Sequence, residues 1–494
     1  MQKESQFTKN FDFSHVDPGG SPVYNGGTIT GKERLTMSIL IRNGTLILPD
    51  GPRQADLRTE GGVIAQIGPA LPAGDSQVLD ASGKLVFPGF IDTHTHFEMN
   101  KGQPNETADN WATGTRSALC GGTTTVLDFA EPVRGGTLQS ALDEWHARAD
   151  GKASCNYSFH MTIKDWTPAI RAELPAMTSQ GITSYKVYMA YPIRISDVEI
   201  YEALRAIGAE GGICGCHCEN GPLADACIAR LLAEGRTGPD AHPEARPIQI
   251  EAEAVTRYLA IAELAGVPVN IVHLSAARSL EAVRAARARG QKLYVETCPQ
   301  YLLLDDSVYH LPGCESAKYI FAPPARPAGN QEALWQALGD GTVDTIGTDH
   351  CSFTTAVKAL GRDDFSKIPG GLPGTEDRAV LLYTYGVAAG KLTPHRMMEL
   401  LSSNPAKLFG MYPQKGALQV GSDADVVIYG PNRTGRIQAA ANHSACDYDP
   451  YEGKGTVGGV DAVLLNGVLA VQNGEPLGEP GGRFVKRGSS QFWR

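Results

Sequence analysis

The chain has 494 residues, enough for one large barrel with a smaller domain or for three ordinary domains. With 42% hydrophobic residues, 20% charged residues and 56 glycines, it reads as a loop-rich globular chain, neither disordered nor fibrous. A formal charge of −10 without a long Lys/Arg cluster excludes nucleic acid or an anionic membrane surface as the main partner, and no apolar run approaches the roughly 20 residues of a membrane span.

The N-terminus lacks a basic-then-apolar signal pattern, so a cytoplasmic location is the default expectation. Residues 1–36 are polar and Gly-rich and read as a disordered or loosely attached extension that carries no chemistry. From Met37 to residue 88, short alternating runs such as SILIRNGTLI are broken by Asn-Gly and Gly-Gly, which suits small antiparallel strands. Residues 413–475 repeat that texture in KGALQVGSDADVVIYG, so the two chain ends are expected to build one composite β-sandwich, with residues 476–494 as a C-terminal tail. The ten cysteines form no small-domain disulfide framework and read as buried thiols. Cys214, Cys216 and Cys218 alternate away from His217 and belong to the core.

Between the ends, over residues 89–412, the pattern becomes strand-then-helix. Candidate strands are LVFPGFIDTH, residues 123–129, 153–161, 182–189, 212–217, 267–274, 292–297 and 343–349. About eight such units close a parallel (β/α)8 barrel, an α/β fold whose active sites lie at the C-terminal strand ends. The stretch IDTHTHFEMN is central, because His94 and His96 stand two apart and strand alternation turns both imidazoles to one face.

Further along, the strand ends supply Lys186, His217, His273 and Asp349. Singly, each fits a plainer role: an ion-paired lysine, satisfied barrel histidines, a helix N-cap. Jointly they describe a metal site at one barrel mouth. An ammonium repels a dication, so Lys186 needs a reason to be there. If burial lowers its pKa, the neutral amine reacts with carbon dioxide to give an anionic carbamate able to bridge two ions about 3.5–4 Å apart. The expected division gives one ion to His94, His96 and Asp349 and the other to His217 and His273, with carboxylated Lys186 shared. Zn2+ suits imidazole and carboxylate donors best, and Mn2+ or Fe2+ are compatible with them.

The strings PGFIDTHTHFEM, GITSYKVYMAY, NIVHLSAARSLE, YVETCPQYLLLD, IGTDHCSF and SNPAKLFGM resemble those of the dihydropyrimidinase and hydantoinase branch of the amidohydrolase superfamily. The likeness runs from about residue 37 past residue 453. It implies a barrel with a composite β-sandwich, a dinuclear zinc centre on a carboxylated lysine, and a homotetramer. The implied reaction is hydrolytic opening of small cyclic amides, dihydropyrimidines or 5-substituted hydantoins, to N-carbamoyl amino acids by a hydroxide held between the ions. Matched by motif, the six residues above take the ligand roles. Asp349 also relays the proton, and Tyr191 hydrogen-bonds the carbonyl oxygen as it becomes an oxyanion; without the motif, Tyr191 reads as an ordinary half-buried aromatic. The branch holds the ring amide with main-chain groups of a serine and an asparagine, where this sequence has Ala322 and Gly370. Tyr188, Ile195 and Met99 line the pocket for the exocyclic substituent or simply pack the barrel mouth. An allantoinase-like enzyme is the nearest alternative and a non-catalytic scaffold homologue the more distant one. The apolar pocket leans against the first and the complete ligand set against the second.

Overall fold

The structure is a computed structural model that describes residues 38–493, so the expectation for residues 1–36 lies outside the described residues. Two sheets organise it. The first is mixed and nine-stranded. It takes β1 (Ile39–Leu48), β2 (Gly51–Glu60), β3 (Val63–Gly68), β4 (Gln77–Asp80) and β5 (Leu85–Pro88) from one end of the chain. The second sheet holds eight parallel strands: β6 (Phe90–Thr95), β7 (Thr123–Ala130), β8 (Asn156–Thr162), β9 (Ser184–Tyr188), β10 (Ile213–His217), β11 (Val269–Ile271), β12 (Leu293–Thr297) and β13 (Thr345–Ile346). From the other end of the chain, β14 (Val426–Arg436), β15 (Gly455–Leu465), β16 (Val468–Gln472) and β17 (Glu475–Pro476) complete the mixed sheet.

The chain ends meet where β5 pairs antiparallel with β14 and parallel with β1. Ile41, Leu57 and Val86 from the first end share a buried core with Val426, Ile428 and Leu464 from the second. Each such side chain contributes about 1.5–3 kcal/mol on burial, so neither half is complete alone. The run LVFPGFIDTH, expected as one strand, is two. Gly89 separates β5 from β6, and a Cβ there would sit 2.0 Å from Thr124 Oγ1 and 2.9 Å from Asp425 Cβ. That close approach lets the chain cross from one sheet to the other.

The barrel helices follow ordinary rules. Helix Asp197–Ala209 begins on a capping box, Ser196 with Glu199, and buries Ile200, Ala203, Leu204 and Ile207 along one face. Eight of the ten cysteines are buried; Cys227 is half-buried and Cys314 exposed. No described helix is long and apolar enough to cross a membrane. Residues 482–488 run along the starts of β8 and β9, where the Arg487 guanidinium donates to Ser158 Oγ at 2.8 Å and Ser184 Oγ at 2.7 Å.

The eight strands run in sequence order from β6 to β13 and leave a seam between those two. Side chains close it. Thr348 donates to Asp92 through its N–H at 3.1 Å and its hydroxyl at 2.7 Å, and the His96 N–H donates to the His350 carbonyl at 2.8 Å. Beside them Arg378, fully buried and 3.8 Å from Asp92 Oδ1, donates to the carbonyls of Ile91 (2.7 Å) and Ile346 (2.8 Å) and to Thr123 Oγ1 (2.9 Å). Arg378→Met strands those carbonyls without donors. It is expected to cost about 3 kcal/mol, read as a lower urea midpoint at unchanged slope; an unchanged midpoint would mean the seam closes without it.

Candidate metal centre

The barrel brings the predicted residues to its C-terminal mouth from five strands. His94 lies near the end of β6 and His96 just past it, while His217 ends β10. His273 and Asp349 follow β11 and β13, and Lys186 sits inside β9, one layer deeper than expected, so its long stem carries the amine outward. His94 Nε2 and His96 Nε2 lie 3.2 and 3.3 Å from Asp349 Oδ1, and the donor atoms of these three all fall within 4.8 Å of one another. Facing them, His217 Nδ1 is 3.0 Å from His273 Nε2, and the His94 and His273 ring centres are 5.4 Å apart. Two ring nitrogens so close share a proton or a cation, since two lone pairs repel. Lys186 is buried between the groups, with Nζ 5.0 Å from the centre of the Phe129 ring and 5.3 Å from that of Tyr188.

The outward-facing nitrogens are held by carboxylates. His94 Nδ1 donates to Glu296 at 2.7 Å, and Glu296 also accepts from Thr93 Oγ1 at 2.6 Å and from the His273 N–H at 3.3 Å. His217 Nε2 donates to Glu219 at 2.8 Å, and Glu219 is paired with Arg246. Each bond fixes the tautomer that leaves the inward nitrogen as a lone pair, the arrangement that metal-binding imidazoles require. This donor set fits divalent ions.

Electrostatics agree for three of the four imidazoles; the fourth, His96, which burial would lower, is raised because Asp349 outweighs that effect. Burial, with Lys186 adding to it, pulls the imidazoles of His94 and His273 well below their ordinary value; burial likewise lowers His217 against the opposing pull of Glu219. All three are therefore neutral donors. Burial also lowers the Lys186 amine, against the attraction of Asp349 and Glu296. It would raise Asp349, but His94 and His96 outweigh it and hold the carboxyl below the usual range. The Tyr191 phenol is raised by burial and stays protonated at neutral pH.

Tyr191, His273 and Asp349 have φ of 66°, 38° and 54°. Three of the nine described non-glycine residues in left-handed backbone thus belong to one site, a concentration of strain of the kind found where geometry is imposed for chemistry.

At the mouth, the Tyr191 and Tyr188 rings lie 5.0 and 5.7 Å from that of His217, and the Ile195 N–H donates to the Tyr188 carbonyl at 3.3 Å, so these three form one wall. The hydrogen bonds of Met99 stay within its own loop, to Thr107. Ala322 and Gly370 are brought together, since a Cβ on Gly370 would lie 3.9 Å from Phe321 Cα. Sequence reasoning missed Glu296, Glu219 and Arg246. Glu296 also stands at the end of a predicted strand, in KLYVET, so the rule that found the histidines could have found it.

Residues 85–469 match the amidohydrolase family. This chain belongs to that family. It is a hydrolytic enzyme, similar to a D-hydantoinase of Ralstonia pickettii at 42% identity over 91% of this chain and 99% of that one. A D-phenylhydantoinase of Escherichia coli is 41% identical over 91% of this chain and 98% of its own. The crystal structure of a dihydropyrimidinase from Brevibacillus agri superposes with a TM-score of 0.90 at 41% identity, covering 92% of this chain and 99% of that one. A barrel joined to a sheet built from both chain ends is therefore the architecture of this amidohydrolase and of its solved relatives alike.

Glu296→Gln keeps the shape of the side chain but weakens the hold on His94. It is expected to lower zinc affinity about 10–100-fold, measured by chelator competition; wild-type affinity would show that Glu296 does not orient the ligand.

Proposed function

We propose that this amidohydrolase opens the rings of small cyclic amides, dihydropyrimidines and 5-substituted hydantoins, to N-carbamoyl amino acids. The observation that carries the reading is the convergence of His94, His96 and Asp349 with His217 and His273 around buried Lys186, beneath the Tyr191 phenol. Relatives described as D-hydantoinase, D-phenylhydantoinase and dihydropyrimidinase, each matched over almost its whole length, support the substrate class.

In this reading His94, His96 and Asp349 would hold one ion and His217 and His273 the other, and Lys186, once carboxylated by carbon dioxide, would serve both. Two divalent ions, zinc by the donor chemistry, supply Lewis acidity that polarises an amide carbonyl and makes water nucleophilic at neutral pH. The protein's own groups do the rest. Tyr191 donates a hydrogen bond to the carbonyl oxygen, and the bond strengthens as negative charge develops there. Asp349, low in pKa and at the centre of the His94–His96 pair, accepts the proton of the attacking water and delivers it to the ring nitrogen as the C–N bond breaks. Main-chain groups at Ala322 and Gly370 hold the ring amide, and Tyr188, Ile195 and Met99 line the space for the exocyclic substituent. A composite β-domain from residues 37–88 and 413–475, a catalytic barrel over 89–412, a homotetrameric assembly and a cytoplasmic location belong to the same proposal.

The test is ring opening by zinc- and bicarbonate-supplied protein on dihydrouracil, 5-substituted hydantoins and allantoin side by side. Turnover of the first two is expected, and turnover of allantoin alone would contradict the substrate class. Tyr191→Phe should lower kcat about 10²–10³-fold at unchanged metal content. A wild-type rate in that variant would remove Tyr191 from the mechanism.

A further inference from the structure

Lys358 ends the short helix Thr355–Lys358 and is completely buried, yet it has no carboxylate partner among the described residues. Its Nζ instead donates to three main-chain carbonyls: Ile320 at 2.7 Å, Pro369 at 2.7 Å and Gly371 at 2.8 Å. An ammonium has three N–H donors, and here all three are used. The carbonyls belong to two loops from distant parts of the chain, and one further bond joins the loops directly, from the Gly371 N–H to the Ile320 carbonyl at 2.9 Å. The second loop is tied to the metal centre, because the Cys351 N–H, two residues after Asp349, donates to the Leu372 carbonyl at 2.9 Å.

The neighbouring carbonyls are taken as well. Phe321 accepts from His242 Nε2 at 2.8 Å and Pro323 from the Tyr301 hydroxyl at 3.0 Å. Every carbonyl flanking Ala322 and Gly370 is therefore occupied. Among the described residues, the main-chain N–H and C=O of Ala322 and Gly370 themselves have no protein partner. Two adjoining loops, the second bonded to the chain two residues after Asp349, thus present an unpaired donor and acceptor each, which is the complement of a cis-amide edge carrying one N–H and one C=O.

We propose that Lys358 is a positioning residue for substrate: by binding the carbonyls of Ile320, Pro369 and Gly371 it holds the main chain of Ala322 and Gly370 in the relative position that receives the ring amide. The inference rests on the cyclic-amide reading above and adds the group that joins two separate loops into one receptor. It also accounts for the loss of side-chain identity at 322 and 370, since recognition there lies in backbone atoms fixed from behind. Burial, opposed by Cys351 and Cys446, pushes Lys358 down to about 7, whereas three carbonyl dipoles favour its charged, three-donor form.

The experiment compares wild type, Lys358→Met and Lys358→Gln, each zinc-loaded, on dihydrouracil and on a 5-substituted hydantoin, with metal content and melting temperature measured on the same samples. Lys358→Met should raise KM about tenfold or more, with zinc content retained and kcat changed far less. Lys358→Gln, which restores two of the three donors and conserves shape, should fall between. A merely structural lysine would lower the melting temperature and the active fraction but leave KM alone, and that result overturns the proposal, as does wild-type KM in both variants. Wild-type protein that opens neither ring would refute the cyclic-amide reading itself, and the clamp with it, whereas unchanged KM against an active wild type refutes the clamp alone.

Discussion

The arrangement around Lys186 depends on a problem of charge. A buried ammonium beside three imidazoles and two carboxylates is disfavoured by desolvation, and it cannot share that space with divalent cations. Burial already lowers the amine. Conversion to a carbamate would reverse the sign of the group and add two oxygen donors where the histidines point. The rest of the site is compatible with that outcome: Glu296 and Glu219 hold His94 and His217 from outside, so that lone pairs face inward, and Asp349 balances His94 and His96 from the mouth.

The fold supplies the rigidity this needs. Gly89 passes the chain from the mixed sheet into β6, so the strand bearing His94 is anchored to a second core. The seam beside that strand is closed by Thr348 on Asp92 and by Arg378 on the adjoining Ile91 and on Ile346, which fixes Asp349 relative to His94. A second buried network does the same from outside. Asp109 accepts from His350 Nε2 at 3.0 Å, from Ser352 Oγ at 2.8 Å and from the Ala445 N–H at 2.8 Å. The residue that follows Asp349 is thereby tied to the segment that links β14 and β15 of the mixed sheet.

Much of this was legible in the sequence because it rests on periodicity and spacing. Strand-then-helix alternation gives the barrel, and His94 and His96 two apart at a strand end give two imidazoles that meet Asp349 at the mouth. The resemblance in PGFIDTHTHFEM and GITSYKVYMAY points to the proposed ligand set and to Tyr191, which the structure brings to one mouth. What was not legible depends on contacts between distant segments. The apolar run LVFPGFIDTH has no visible break, since only the approach of Thr124 and Asp425 makes Gly89 a junction. Strands β11 and β13, three and two residues long, are far shorter than their apolar runs suggest, because the chain leaves the sheet early to set His273 and Asp349 in left-handed backbone. Glu296 and Glu219 read as any carboxylate near a strand end until their partners are known. Lys358, in TTAVKALG, reads as a solvated helix lysine, and only the three carbonyls converging on it say otherwise.

The most direct test of the central claim is 13C NMR of zinc-loaded protein prepared in 13C-bicarbonate, with metal analysis of the same sample. The account predicts one carbamate carbon and two zinc ions per chain, both lost in Lys186→Ala. Two tightly bound ions without a carbamate signal, or full metal loading of Lys186→Ala, would contradict it.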